Sequence, residues 1–176
     1  MKVLDFVSDK TLIYNLNMNL FILDNNIDKN AQYHVDKHVG KMILEAMQLI
    51  CTTFHYQGVD APYRSTHVNH PCSIFTRASK DNFQYVVDYV FALSKENIIR
   101  YDKVHASSLL LKWVADNRHL LSFPKVGMTE FALAMPDQYK TSDPVQSYHN
   151  YYNGDKRHIF KWTNREQPDW IVSIKH

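Results

Sequence analysis

Glycine and proline are scarce, with 4 Gly and 6 Pro in 176 residues. A fold of many short strands needs more turn residues than that, so a loop-rich β-sandwich is excluded and helices are favoured. Cysteine is scarcer still, with only Cys51 and Cys72. Two thiols make no disulfide framework and fit a reducing compartment, so a cytoplasmic location is expected. No apolar run approaches the roughly 18 residues a membrane-spanning helix needs, and no membrane partner is expected. The opening residues lack the basic, apolar and small-residue succession of a secretory signal. Excess charge of one sign is missing too, since 20 Lys+Arg against 18 Asp+Glu leave +2. That excludes a strongly basic whole chain, the simplest sign of nucleic-acid binding, but not a local basic face.

Aromatic and imidazole groups are abundant: 11 Tyr, 9 Phe, 3 Trp and 10 His. Imidazole binds metals and moves protons, while tyrosine either stacks on a base or anchors a core. The 45% hydrophobic content argues for a globular chain rather than disorder, and the length fits one domain.

Residues 1–17 show no clear period and read as an N-terminal extension ahead of a helical domain spanning 18–176. Met18 to Asp24 is short, apolar and suited to an extended path. Asp24-Asn25-Asn26 signals a turn, with Asp28 as a candidate cap. One long helix is predicted from Asn30 to about His55, and a loop from Gly58 to Pro71. A second helix follows from Ser73 to about Tyr101, with Ile74, Phe75, Ala78, Tyr85, Val86, Tyr89, Val90 and Leu93 on its apolar face. A third, Val104 to Leu121, is expected to bury Leu109, Leu110, Trp113, Val114 and Leu120. Asp143 and Pro144 then open a short helix that runs to Tyr152 and stops at Asn153-Gly154. The expected fold is all-α: a compact single-domain bundle of about three long helices plus a short C-terminal helix.

On the first long helix, His34, His38, Lys41, Glu45, Gln48 and Thr52 fall within a sector about 80° wide. Nearly everything else from Val39 to Phe54 is apolar. Such a helix belongs at the centre of the fold, so its polar stripe faces either a strip of water or a cleft. In water, Lys41 and Glu45 form an ordinary i,i+4 pair. In a cleft, the carboxyl serves as acid or base and the amine as a nucleophile. His34 and His38 also share a face suited to a metal, but Val35 stands where the zinc-protease pattern needs Glu, and Asp36 points elsewhere.

A second cluster, His67-Val68-Asn69-His70-Pro71-Cys72, closes the loop. Asn69 or His70 caps the next helix in one reading. In the other, the helix N-terminus takes a phosphate, reinforced by Arg77 and Lys80. Near the C-terminus, Tyr148, Tyr151 and Tyr152 precede Lys156 and Arg157. Aromatics interleaved with cations suit a stacking and phosphate-binding surface, and tyrosines equally well anchor a terminal segment.

These residues together resemble a known family. Asn19-Leu20, His38 and Glu45 are similar to the opening of the pyrimidine-dimer DNA glycosylase (endonuclease V) family. His38-Val39-Gly40-Lys41, followed by Glu45-Ala46 and Gln48, resembles a bacterial branch loosely grouped with it. His70-Pro71 opening a helix and Tyr148-x-x-Tyr151-Tyr152-x-Gly154-x-Lys156 are similar to family features as well. Short proteins beginning near Met18 resemble products of tailed phages, which would make the location the host cytoplasm.

The resemblance implies an all-α fold with the N-terminal segment threaded between helices. It also implies an α-amine that attacks C1′ of a damaged nucleotide, with Glu45 as the assisting glutamate and His38 beside it. Here 17 residues precede Met18, so the family's amine is available only if the chain starts or is cut at Met18. Lys41, one turn from Glu45, is the internal substitute. Catalytic roles thus fall on Glu45, Lys41, His38 and Met18. Substrate-binding roles fall on His34, Gln48, His70, Arg77, Tyr148, Tyr151, Tyr152 and Lys156. The expected partner is DNA or a nucleotide, with no cofactor and no metal. Two alternatives stand beside the glycosylase/lyase: a phage accessory protein that binds nucleotide or DNA without chemistry, acting on host defence, and a metal-dependent hydrolase using His34, His38 and His70.

Overall fold

An apolar segment bounded by a turn has to bury itself, and Met18–Leu23 does so without becoming helix. In the computed structural model, which describes residues 18–173, this stretch runs extended through the interior, with all six side chains buried. The extension 1–17 lies outside the described residues. Asn26, in extended backbone, accepts hydrogen bonds from the Asp28 and Lys29 N–H groups and starts α1 (Ile27–Tyr33). The cap is therefore Asn26, not Asp28, which lies inside the first turn.

His34 and Val35 take extended backbone angles, so the predicted helix from Asn30 to His55 is in fact α1 and α2 (Asp36–Tyr56). No glycine or proline marks the break; tertiary contacts hold it. The Arg100 guanidinium donates to the free carbonyls of Gln32 and His34, at 2.8 and 2.9 Å. The Asp36 N–H donates to the Lys161 carbonyl at 2.8 Å. These bonds satisfy the groups a helix end leaves open.

The second predicted helix is likewise two, α3 (Pro71–Ala78) and α4 (Lys80–Tyr101). Ser79 sits between them in extended backbone (φ −150°, ψ 162°), and its Oγ accepts from the Asn82 N–H at 3.0 Å. The buried Asn82 side chain donates to the Phe75 carbonyl at 2.8 Å, satisfying the end of α3. Asp102 ends α4 in the left-handed region, its N–H bonded to the Ile98 carbonyl. The third predicted helix is a 3₁₀ segment (Ala106–Leu110), α5 (Leu111–Asn117) and a 3₁₀ turn (Arg118–Leu120). Val114 is buried as expected, but Leu109 and Leu120 are exposed. A 3₁₀ turn has about 3.0 residues rather than 3.6, so the face drifts away from its α-helical position. For Ile74, also exposed, the break at Ser79 leaves α3 as a short separate helix with its own buried side.

Asp143 caps α6 (Pro144–Tyr151), its Oδ1 accepting from the Val145 N–H at 2.9 Å. The chain does not stop at Asn153-Gly154. It continues through a wide π turn (Tyr152–Lys156) and a 3₁₀ turn (Arg157–Ile159). A Cβ at Gly154 would overlap the tip of the Tyr139 ring, which would have to shift.

Helices α2 and α4 form an antiparallel central pair. Phe54 at the end of α2 meets Phe83 at the start of α4, and Asp36 at the start of α2 meets Arg100 at the end of α4. The extended segment lies between α2 and α6: the Asn19 N–H reaches Glu45, and the Leu23 carbonyl accepts from His149. All regular structure among the described residues is helical, so the all-α class expected from composition holds.

Candidate functional site

Helix α2 is buried almost all round, and only a narrow strip opens to water. Lys41 and Leu44 are exposed and Gln48 is half-buried along that strip. The polar stripe splits around it. Glu45 turns inward at its edge and is only 8% exposed. One carboxyl oxygen accepts from the Asn19 backbone N–H at 3.1 Å, and the other lies 3.4 Å from the Lys41 Nζ. Burial raises the Glu45 pKa, opposed by the Lys41 charge and by the two hydrogen bonds. A carboxyl held upward in this way is suited to keep or return a proton. Lys41 has about half of its side chain in water and reaches Glu45 from outside. Met18 is buried in the core immediately before Asn19.

His38 is also withdrawn from solvent. Its Nδ1 is 2.7 Å from the Tyr152 hydroxyl, and its ring stacks on Phe21 at 4.5 Å. Burial first, then the positive field of His34, Lys156, Lys41 and His158, lowers its pKa to about 2, so the ring is neutral. His34 is not on α2 at all. It closes α1, fully buried, with Nδ1 at 2.7 Å from the Asn30 carbonyl and Nε2 at 2.8 Å from the Tyr89 hydroxyl. A carbonyl only accepts, so Nδ1 carries the proton and Nε2 accepts from Tyr89. Burial lowers its pKa to about 4. Both histidines are thus built into the core beside the site. Thr52 turns toward the Gly58–Pro71 loop, donating to the Thr66 carbonyl.

The second cluster is structural at its start. His70 caps α3, its Nδ1 accepting from the Cys72 N–H at 3.1 Å. Arg77 falls in the last turn of α3, because that helix ends at Ala78, and therefore does not stand at the N-terminus with His70. It donates to the Val68 carbonyl at 2.6 Å and lies over the Tyr56 ring. Lys80 begins α4 instead.

Tyr148, Tyr151 and Tyr152 are all buried, which leaves their faces to the core rather than to bases. The Tyr148 hydroxyl lies 2.8 Å from both the Asn19 Oδ1 and the Ala132 carbonyl, which share its one proton. Lys156 lies over the Tyr151 ring at 4.6 Å. The tyrosines anchor the C-terminal segment onto Phe21, which touches all three rings.

Asn19 is the residue that sequence reasoning undervalued. It is buried, donates to the Ala134 carbonyl at 2.7 Å, and positions the N–H that meets Glu45. The available signal was one polar amide in an otherwise apolar segment. Cys72 is fully buried, and burial, with the Glu45 charge adding to it, pushes its thiol up to about 12. It is a packed thiol, not a thiolate nucleophile. Among the described residues, no three His, Cys, Asp or Glu side chains come together as a metal-ligand set. Among them, too, no helix is long and apolar enough to cross a membrane. Compared with known proteins, the chain matches no family model, no curated protein and no solved structure.

Proposed function

We propose that the protein is a DNA glycosylase with abasic-site lyase chemistry, centred on Glu45 and an adjacent amine. The observation that carries this reading is the environment of Glu45: a nearly buried carboxyl of raised pKa between the Lys41 ammonium and the backbone at Met18-Asn19. The amine is either Lys41 or an α-amine created at Met18, whose nitrogen is one residue, roughly 3–4 Å, from the Asn19 nitrogen.

In the proposed reaction the neutral amine attacks C1′ and the glycosidic bond breaks, its electron pair leaving with the base, which takes up the proton that the attacking amine gives up. Glu45 delivers a proton to the ring oxygen as the sugar opens to a Schiff base. It then accepts the 2′ proton, and β-elimination expels the 3′ phosphate. The target nucleotide has to leave the duplex stack to reach a site at the edge of α2.

The Lys41–Glu45 ion pair favours a second reading, because at 3.4 Å the carboxylate engages the amine that would have to attack. In that case the strip binds a nucleotide or DNA without chemistry. Borohydride trapping on an abasic duplex, read by mass spectrometry, separates the two. The glycosylase/lyase reading expects a covalent adduct at Lys41 or at a Met18 amine, abolished by Glu45→Gln. No adduct from either the full chain or a Met18-start form refutes it, and binding that survives Glu45→Gln then supports the non-catalytic reading.

A further inference from the structure

At the end of α2 remote from His38, a groove of about 340 Å³ opens between the start of α4 and the segment that follows α5. Its rim carries Lys80, Arg118, His119 and Lys125, and all four side chains are exposed. Its floor is apolar, made by Phe83, Leu121 and Phe123, with the two phenyl rings 5.4 Å apart. The groove is built into the fold rather than left between loose segments. The Lys80 N–H donates to the Lys125 carbonyl at 3.3 Å, and the Gly127 N–H donates to Asp81 at 2.6 Å. Phe83 packs on Phe54 of α2.

The charge around this groove is unbalanced. Among the described residues, none of Lys80, Arg118, His119 or Lys125 pairs with a carboxylate. Arg118 instead donates to a neutral amide, the Gln84 Oε1, at 3.0 Å. Asp81, the nearest acid in sequence to Lys80, is turned to the Gly127 N–H. Elsewhere among the described residues, the exposed Lys95, Lys112 and Lys140 each hold a carboxylate at 2.6–2.7 Å, while Lys29, Lys37, Lys103 and Lys161 hold none, so the groove is set apart by gathering its cations on one rim. Lys80, Arg118 and Lys125, gathered around an apolar floor with no carboxylate paired to them, complement a ligand that joins an anion to a flat apolar body.

We propose that this groove binds a nucleotide unit, its phosphate held by Arg118, Lys125 and Lys80 and its base laid against Phe123 and Leu121. The phosphate accepts charge-assisted hydrogen bonds, and the base removes apolar surface from water. The site is separate from Glu45. Nine helical steps of α2, roughly 13 Å, separate Glu45 from Phe54, whose ring backs the floor. The inference therefore stands whether or not Glu45 performs chemistry.

The test is titration of the full chain with dAMP, deoxyadenosine, inorganic phosphate and a short single-stranded deoxyoligonucleotide, by calorimetry. Four proteins are compared: the parent, Arg118→Ala/Lys125→Ala, Phe123→Ser and Glu45→Gln. The expected result is binding of dAMP that weakens about tenfold in the double variant and with added salt. Deoxyadenosine and phosphate alone bind weaker than dAMP, Phe123→Ser lowers dAMP affinity, and Glu45→Gln leaves it unchanged. Both substituted cations are exposed, so an unchanged melting temperature confirms that folding is intact. An oligonucleotide that binds tighter than dAMP and is equally sensitive to the double variant identifies a strand as the source. Equal or weaker binding identifies a free nucleotide. Absence of binding by both, or affinity unaffected by the double variant, overturns the proposal, as does phosphate binding as tightly as dAMP.

Discussion

Acid should unfold this protein through two histidines before most of its carboxylates titrate. His34 and His38 have folded pKa values of about 4 and about 2 against an ordinary 6.5, lowered chiefly by burial. Above pH 6.5 neither state protonates them, and the stability of burying neutral rings is fully present. Below it the unfolded chain takes up two protons that the folded chain refuses. Each costs about 1.4 kcal/mol per pH unit, so the pair removes about 2.7 kcal/mol per unit. His34 stops contributing near its folded value, after about 3 kcal/mol, while His38 continues to lower pH. His105 and His149, both lowered by burial, add to the slope. Glu45 opposes it, because its raised pKa lets the folded state gain a proton first. Asp36 and Glu96, lowered by their hydrogen bonds, contribute only as pH falls through the carboxylate range. Urea unfolding at steps between about pH 4.5 and 7.5 measures the slope directly. His34→Gln and His38→Gln should each flatten it by about 1.4 kcal/mol per unit in the window below 6.5. Variants with the parent's slope would refute the claim that these rings are buried neutral.

Other expectations follow from the buried polar groups. Arg100, its side chain fully buried, serves Glu96, Asp36 and the carbonyls of Gln32 and His34. Arg100→Met leaves the Gln32 and His34 carbonyls without this donor, while Glu96 keeps Arg165 and Asp36 keeps Thr163, and should cost about 3 kcal/mol in urea unfolding, whereas Lys112→Met, at an exposed pair, should cost under about 0.5. Asn19→Ala abandons the Ala134 carbonyl and the Leu20 N–H and leaves the Tyr148 hydroxyl only its Ala132 partner, an expected loss of about 2 kcal/mol by the same assay. Gly154→Ala should lower the melting temperature, with a cost of about 1–2 kcal/mol, because the new methyl displaces the Tyr139 ring and its 2.6 Å bond to Asp155. Adding Tyr139→Ala should remove most of that coupling in a double-mutant cycle.

Much of this protein was legible in the chain itself. Scarce glycine and proline, the apolar circumference of Val39–Phe54 and the Asp143-Pro144 start signal are local properties. They determined an all-α fold, a central buried helix and the start of α6. Spacing alone also put Lys41 and Glu45 within one turn of each other. The two long helices failed as units because nothing local breaks them at His34. That junction exists because Arg100, 66 residues away, takes the His34 carbonyl. At Ser79 a capping side chain was visible, but a capping residue inside an apolar period becomes a break only when a partner such as Asn82 satisfies the preceding helix end.

Burial decided the rest, and burial is a property of the assembled core. Helical spacing puts His38, Lys41 and Glu45 on one face but says nothing of depth. The extended Met18–Leu23 segment and α6 cover that face, making His38 neutral beside Tyr152, leaving Lys41 in water and turning Glu45 inward onto the Asn19 N–H. The three tyrosines illustrate the same division: sequence supplied side chains fit either for stacking on bases or for packing, and the tertiary structure closed them around Phe21. The residues and their local spacing belong to the sequence. Which of them meet water, and with what charge, was settled only when distant segments packed together and excluded it.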